Sequence, residues 1–269
     1  MSFLGLAPIF WSIVYLGWFV IGLYVYVALI RQISIRSSPP AETTLKRFGA
    51  PEALVAALIM SLLVIGLIKG SAPSASELNT RELISNFILT AVIVFVLAAF
   101  LVFRGFDLDA LAGFSKVGFV RVAALGAMLL FLAYPLIGSA DIITQYFLGH
   151  SSRQNIVELF SGSPTMQQRV LVIILAVAVA PVAEELVFRF FLYGVLRRYF
   201  GVVVAILINS LLFAAVHQHL PSFAPLFVLA GCFTLAYEWS GSILISMTMH
   251  SLFNSINLIT LAFPSLSQQ

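Results

Sequence analysis

Eight apolar runs, each long enough to cross a bilayer as a helix, leave this chain of 269 residues few ways to fold. They lie near Pro8–Ile30, Pro51–Ile68, Leu83–Phe103, Val122–Phe147, Val170–Leu196, Gly201–His217, Phe223–Trp239 and Ser242–Phe263. A segment inside lipid must satisfy its own backbone hydrogen bonds, which leaves only helices and closed barrels. The runs are continuously apolar rather than alternating, so helices are expected. Composition agrees: 61% of residues are hydrophobic and 9% are charged, against about 25% charged in soluble domains. So few polar side chains cannot coat a water-facing globule. The expected fold is all-α, a polytopic integral membrane helical bundle of about eight transmembrane helices. No repeat or linker divides it, so residues 1–269 read as one integral membrane domain. "LAYPLIGSADIITQYF" is the weakest span, since Pro135, Gly138 and Asp141 could break it.

The first run, "MSFLGLAPIFW", has no basic residue before it and reads as a retained transmembrane helix rather than a signal peptide. The net charge of +3 is small and the basic residues are scattered, which leaves no footprint for nucleic acid. Their distribution reads instead as an orientation signal. With the N-terminus outside, nine basic residues fall on inside loops: Arg31, Arg36, Lys46, Arg47, Arg104, Lys116, Arg121, Arg197 and Arg198. Four fall outside: Lys69, Arg81, Arg153 and Arg169. Both termini are then expected outside. "GFDLDALAGFSKVGFVR" reads equally as an interfacial helix or as an ordinary loop. Cys232, the single cysteine, sits in an apolar run and is expected to pack as a small hydrophobe.

One span carries an expensive exception. "APVAEELVFRFF" holds Glu184, Glu185 and Arg189 in the middle of apolar sequence, where each charge costs about 2.5–3.5 kcal/mol on insertion scales. Residues four apart share a helix face, so Glu185 and Arg189 can pair and offset part of that cost. Glu184 points about 100° away from Glu185 and gains no partner from its own helix. Pro181, one turn earlier, lacks an N–H and distorts the helix. An unpaired carboxyl beside a distortion points to a polar cavity. Two other spans supply matching groups. Asn209, Phe213 and His217 share one face of the sixth span; His250 and Asn254 share one face of the eighth, extended by Ser246 and Asn257. His219, before Pro221, and His150, beside two serines, read as loop residues. Singly these groups read as packing or interhelical glue. Together they offer a base for water, a proton carrier and oxyanion donors, which is what amide hydrolysis requires.

The same residues form three ordered motifs: E-E-x-x-x-R as "EELVFR", F-x-x-x-H as "FAAVH" and H-x-x-x-N as "HSLFN". In these the sequence resembles the CPBP family of intramembrane glutamic proteases, which includes type II CAAX prenyl proteases and bacteriocin-processing enzymes. The resemblance covers about residues 170–257, the expected catalytic core. It implies an intramembrane endopeptidase that needs no metal and no cofactor. Glu184 with His217 would activate water, and His250 with Asn254 would hold the oxyanion. Glu185 and Arg189 would be a supporting pair, although the two glutamates could exchange roles.

The expected partners are the lipid bilayer and a peptide or membrane-protein substrate. Cleavage is expected near the cytoplasmic face, and the motifs leave open whether prenylation is required. No organelle or retention signal is evident, so a bacterial inner membrane is the expected setting. Two alternatives use the same cluster. One is a non-catalytic scaffold or immunity protein; the other is a zinc protease built on Glu184, His217 and His250, which lacks an H-E-x-x-H helix.

Overall fold

The computed structural model describes residues 6–36, 47–69, 80–148 and 165–262. Helices account for nearly all of them, and no strand occurs among the described residues. In chain order they are α1 (Leu6–Arg36), α2 (Ala50–Lys69), α3 (Thr80–Phe103), α4 (Leu108–Ala112) and α5 (Phe119–Leu148). Next comes α6 (Met166–Ile174), a π-helical stretch π1 (Leu175–Val179), α7 (Ala180–Glu184), and a second π-helical stretch π2 (Glu185–Tyr193). The chain ends with α8 (Gly194–Val216), a short 3₁₀ turn (Leu220–Ser222), α9 (Phe223–Ser240) and α10 (Ile243–Ala262). His150, Lys46, Arg153 and Phe263 lie outside the described residues.

Among the described residues, six helices are long and apolar enough to cross a membrane, against about eight expected. The difference has two sources. The fifth and sixth expected spans form one helical run of 51 residues, Met166–Val216. They meet without a loop at Gly201, whose φ of 76° and ψ of 175° break the helix there. That backbone region is essentially restricted to glycine. The third expected span is the helix α3, of which Phe87–Phe103 is a shorter apolar stretch among the described residues. The weakest expected span holds: α5 runs unbroken through Pro135. Tyr15 and Ser139 hydroxyls both donate to the Pro135 carbonyl, at 2.9 and 2.8 Å.

The helices divide by what they face. Only 17% of the most apolar window of α1 and 11% of that of α2 is buried within the protein, whereas half of that of α9 is. Large side chains such as Ile9, Phe10 and Trp11 on α1 are open, as suits a surface solvated by lipid tails. α9 is central, touching α1, α5, α8 and α10. Phe191, Phe213, Phe233, Leu129, Ile245 and Met249 fill the core beside it. Gly126 lets α5 approach α10 closely, since a Cβ there would run into the side chain of Thr248. Cys232 is buried in this core, as expected.

Capping fixes the ends. Glu52 reaches back to the Gly49 N–H at 2.6 Å and takes Arg104 Nε at 2.8 Å with its other oxygen. This is the Glu half of a capping box at the start of α2. In the loop that read equally as helix or coil, Asp107 caps α4 through the Ala110 N–H, so a short helix does form.

Candidate active site

The six motif residues come from the run 180–189, from the end of α8 and from α10. Glu185 Oε1 and Arg189 Nη1 are 3.0 Å apart, and both side chains are fully buried. This is the i,i+4 pair expected from the sequence. The guanidinium is further enclosed by rings: its carbon lies 4.2 Å from the Phe213 centroid and 5.3 Å from that of Phe233. Such contacts stabilise a desolvated cation by about 2 kcal/mol. Arg189 Nη2 also donates to the Ala230 carbonyl at 3.4 Å. Phe213, the phenylalanine of F-x-x-x-H, thus lies against the arginine of E-E-x-x-x-R.

His250 lies between the two glutamates. Its Nδ1 is 3.1 Å from Glu185 Oε1, and its Nε2 is 3.8 Å from Glu184 Oε2. The imidazole is packed against Phe233 and Phe213, with centroids at 5.1 and 5.7 Å. An Nδ1–H donated to Glu185 fixes the ring and leaves Nε2 directed at Glu184, the logic by which a buried carboxylate orients a histidine in hydrolases. Glu184 forms no ion pair within its own helix among the described residues, although Arg189 on that run lies near enough to attract it. Its Oε2 has no hydrogen bond, while about a third of the side chain remains open.

That opening is a cavity of about 570 Å³. Glu184, His217, His250 and Asn254 all line it. The structure therefore brings the four candidate residues together from three elements, His250 and Asn254 sharing α10. Glu185 and Arg189 lie behind them. His217 is exposed at the end of α8, with Nδ1 2.7 Å from the Phe213 carbonyl, which leaves Nε2 for the cavity. Asn209 is held away by a bond to Thr234 at 3.3 Å. His219 faces Ser222 at 2.7 Å in the turn, consistent with its reading as a loop residue.

Asn254 has a partner that the sequence did not reveal: its Nδ2 donates to the Ala176 carbonyl at 2.8 Å. The reason lies in π1. There the Ala180 N–H bonds the Leu175 carbonyl, five residues back. The next donor in that register is residue 181, and proline has none. Ala176 is left with an orphaned carbonyl in an apolar setting, and Asn254 satisfies it. Tyr134 and Asp141 of α5 also line the cavity. Sequence reasoning weighed Asp141 only as a helix breaker and passed over Tyr134, because α5 carries no motif. Among the described residues, no group of three or more His, Cys, Asp or Glu side chains is arranged to ligate a metal.

Residues 166–256 match the family described as type II CAAX prenyl endopeptidase, Rce1-like. This Rce1-like segment spans about a third of the chain and contains all six motif residues. It agrees with the resemblance carried by the three motifs. The chain is an integral, multi-pass membrane protein with a segment similar to a family of peptide-bond hydrolases. No match was found among curated proteins or among solved structures.

Proposed function

We propose that the protein is a glutamate-dependent intramembrane endopeptidase, a single integral domain that hydrolyses a peptide bond in a membrane-associated protein or peptide. The observation that carries this reading is the convergence of Glu184, His217, His250 and Asn254 on one cavity, with Glu184 Oε2 left without a hydrogen bond. Glu184 takes a proton from water held with the help of His217 Nε2. The resulting hydroxide attacks the scissile carbonyl carbon, and its π electrons move to oxygen. His250, held by Glu185 through Nδ1, directs Nε2 at that oxyanion. Asn254 donates its second amide hydrogen. The C–N bond then breaks as Glu184 returns the proton to the leaving amine. Glu185 and Arg189 position His250 and do not touch substrate. The chemistry uses no metal and no cofactor.

The test is cleavage of a quenched peptide library by purified protein, with Glu184→Gln in parallel. Loss of turnover in a variant with unchanged thermal unfolding is expected. Turnover equal to that of the parent sinks the reading and leaves a polar cluster that only holds helices.

A further inference from the structure

The two ends of the bundle differ in charge, and the cavity belongs to one of them. At one end, Arg36 at the close of α1 donates to the Trp239 carbonyl at 3.0 Å, and Trp239 Nε1 donates to Gln32 at 2.8 Å. Arg197 pairs with Glu238 at 2.8 Å. Tyr237 Oη donates to the Leu111 carbonyl of α4 at 3.1 Å. The start of α2 is tied to the end of α3 by Glu52 and Arg104 at 2.8 Å. The ends of α1, α3 and α9, the start of α2, and α4 therefore share one face. Arg36, Arg104, Lys116 and Arg197, four of the basic residues that the sequence places inside, lie on it.

The cavity lies towards the opposite face. Much of its lining falls in the far half of the helices, with Asp141 on α5, Pro225 near the start of α9, and Asn257 and Thr260 near the end of α10, while Glu184 and His250 line its inner part near mid-helix. His217 and Ser222 flank the α8–α9 turn and complete that end. Gln218 in the same turn reaches the Gly66 carbonyl near the far end of α2, at 3.5 Å. From Glu184 to Arg197 the chain climbs roughly 15–20 Å, more than half of a hydrocarbon core of about 30 Å. Among the described residues, no lysine or arginine lines the cavity.

Short loops rich in Lys and Arg stay in the cytoplasm. We propose that the cavity opens away from the cytoplasm, so that the bond presented to Glu184 lies near the non-cytoplasmic surface. The substrate is then a peptide or membrane-anchored segment whose cleaved end is exported or emerges on that side. This moves the cut from the cytoplasmic face expected from sequence. The substrate class rests on the protease reading, but the sidedness does not.

The test uses the full chain in bacterial cells. Its single native cysteine is buried and gives little background. Leu220→Cys places a thiol at the exposed α8–α9 turn, and Ser115→Cys places one at the exposed basic end. Spheroplasts are treated with a membrane-impermeant maleimide before and after lysis. Labelling of Leu220→Cys in intact spheroplasts is expected, with Ser115→Cys labelled only on lysis. Labelling of Ser115→Cys in intact spheroplasts, or of Leu220→Cys only on lysis, overturns the proposal. Gln145→Cys, exposed at the same end of α5, replaces Leu220→Cys if that variant misfolds. An inactive protein with the expected pattern refutes the protease reading alone; an active one with the reverse pattern refutes the sidedness alone.

Discussion

Asn254 is assigned two jobs, and a pair of substitutions separates them. One amide hydrogen satisfies the Ala176 carbonyl at 2.8 Å, and the other is proposed to meet the oxyanion. Asn254→Ala removes both. Leaving the Ala176 carbonyl buried without a donor costs about 1–3 kcal/mol of stability. Losing one oxyanion donor costs about 2.7–4 kcal/mol of transition-state stabilisation, or roughly 10²–10³ in kcat. The carbonyl is orphaned only because residue 181 is proline in the five-residue register that Ala180 adopts with Leu175. Pro181→Ala restores an N–H one step along that register. The double variant Asn254→Ala/Pro181→Ala is therefore expected to regain most of the lost stability and none of the lost turnover. Chemical unfolding in detergent reads the first quantity, and quenched-peptide cleavage at saturating substrate reads the second. If the second substitution leaves stability unchanged, the explanation of π1 is wrong. If kcat returns with stability, Asn254 is a clamp and does not serve the oxyanion.

The buried ion pair makes a second prediction. Arg189→Met leaves Glu185 desolvated without its cation and is expected to lower stability by about 3–5 kcal/mol, read as a fall in thermal midpoint. Adding Glu185→Gln should recover much of that stability, because a buried pair replaced as a unit is often neutral. Turnover should stay low because His250 loses its orienting carboxylate. Gly201→Ala forces a side chain into a backbone region open only to glycine, and a loss of about 1–3 kcal/mol is expected in the same unfolding assay. Exhaustive chelation of the purified protein is expected to leave peptide cleavage unchanged, and loss of activity restored by zinc would favour the metalloprotease alternative.

The lipid-facing helices were legible because hydropathy alone decides them. Continuous apolar runs within a chain that is only 9% charged have few other solutions. The break at Gly201, just after Arg197 and Arg198, falls at the boundary that the sequence places between the fifth and sixth spans. The pairing of Glu185 with Arg189 followed from helical period, since both partners lie on one element. The position of His250 between the two glutamates did not, because it depends on how α10 packs against π2, and no spacing within one helix encodes that. The same limit hid Asp141 and Tyr134, whose place in the cavity is set by the packing of α5.

Pro181 links these two kinds of information. From sequence it is a residue that deforms a helix, and the deformation has no stated direction. In the structure it determines which carbonyl is freed, and the freed carbonyl belongs to Ala176, facing Asn254. The widened turns of π1 and π2 flank Glu184 on both sides, and such turns recur at functional sites. The third motif is thereby tied by a hydrogen bond to the backbone of π1, ahead of the first motif, and the second motif is tied to the first through Phe213 over Arg189. Each motif supplies at least one residue that lines the cavity and a group that holds a neighbouring segment in place. A helix-breaking residue three positions before Glu184 is therefore part of how the carboxyl is aimed, and replacing it alone should disturb the site more than it disturbs the span.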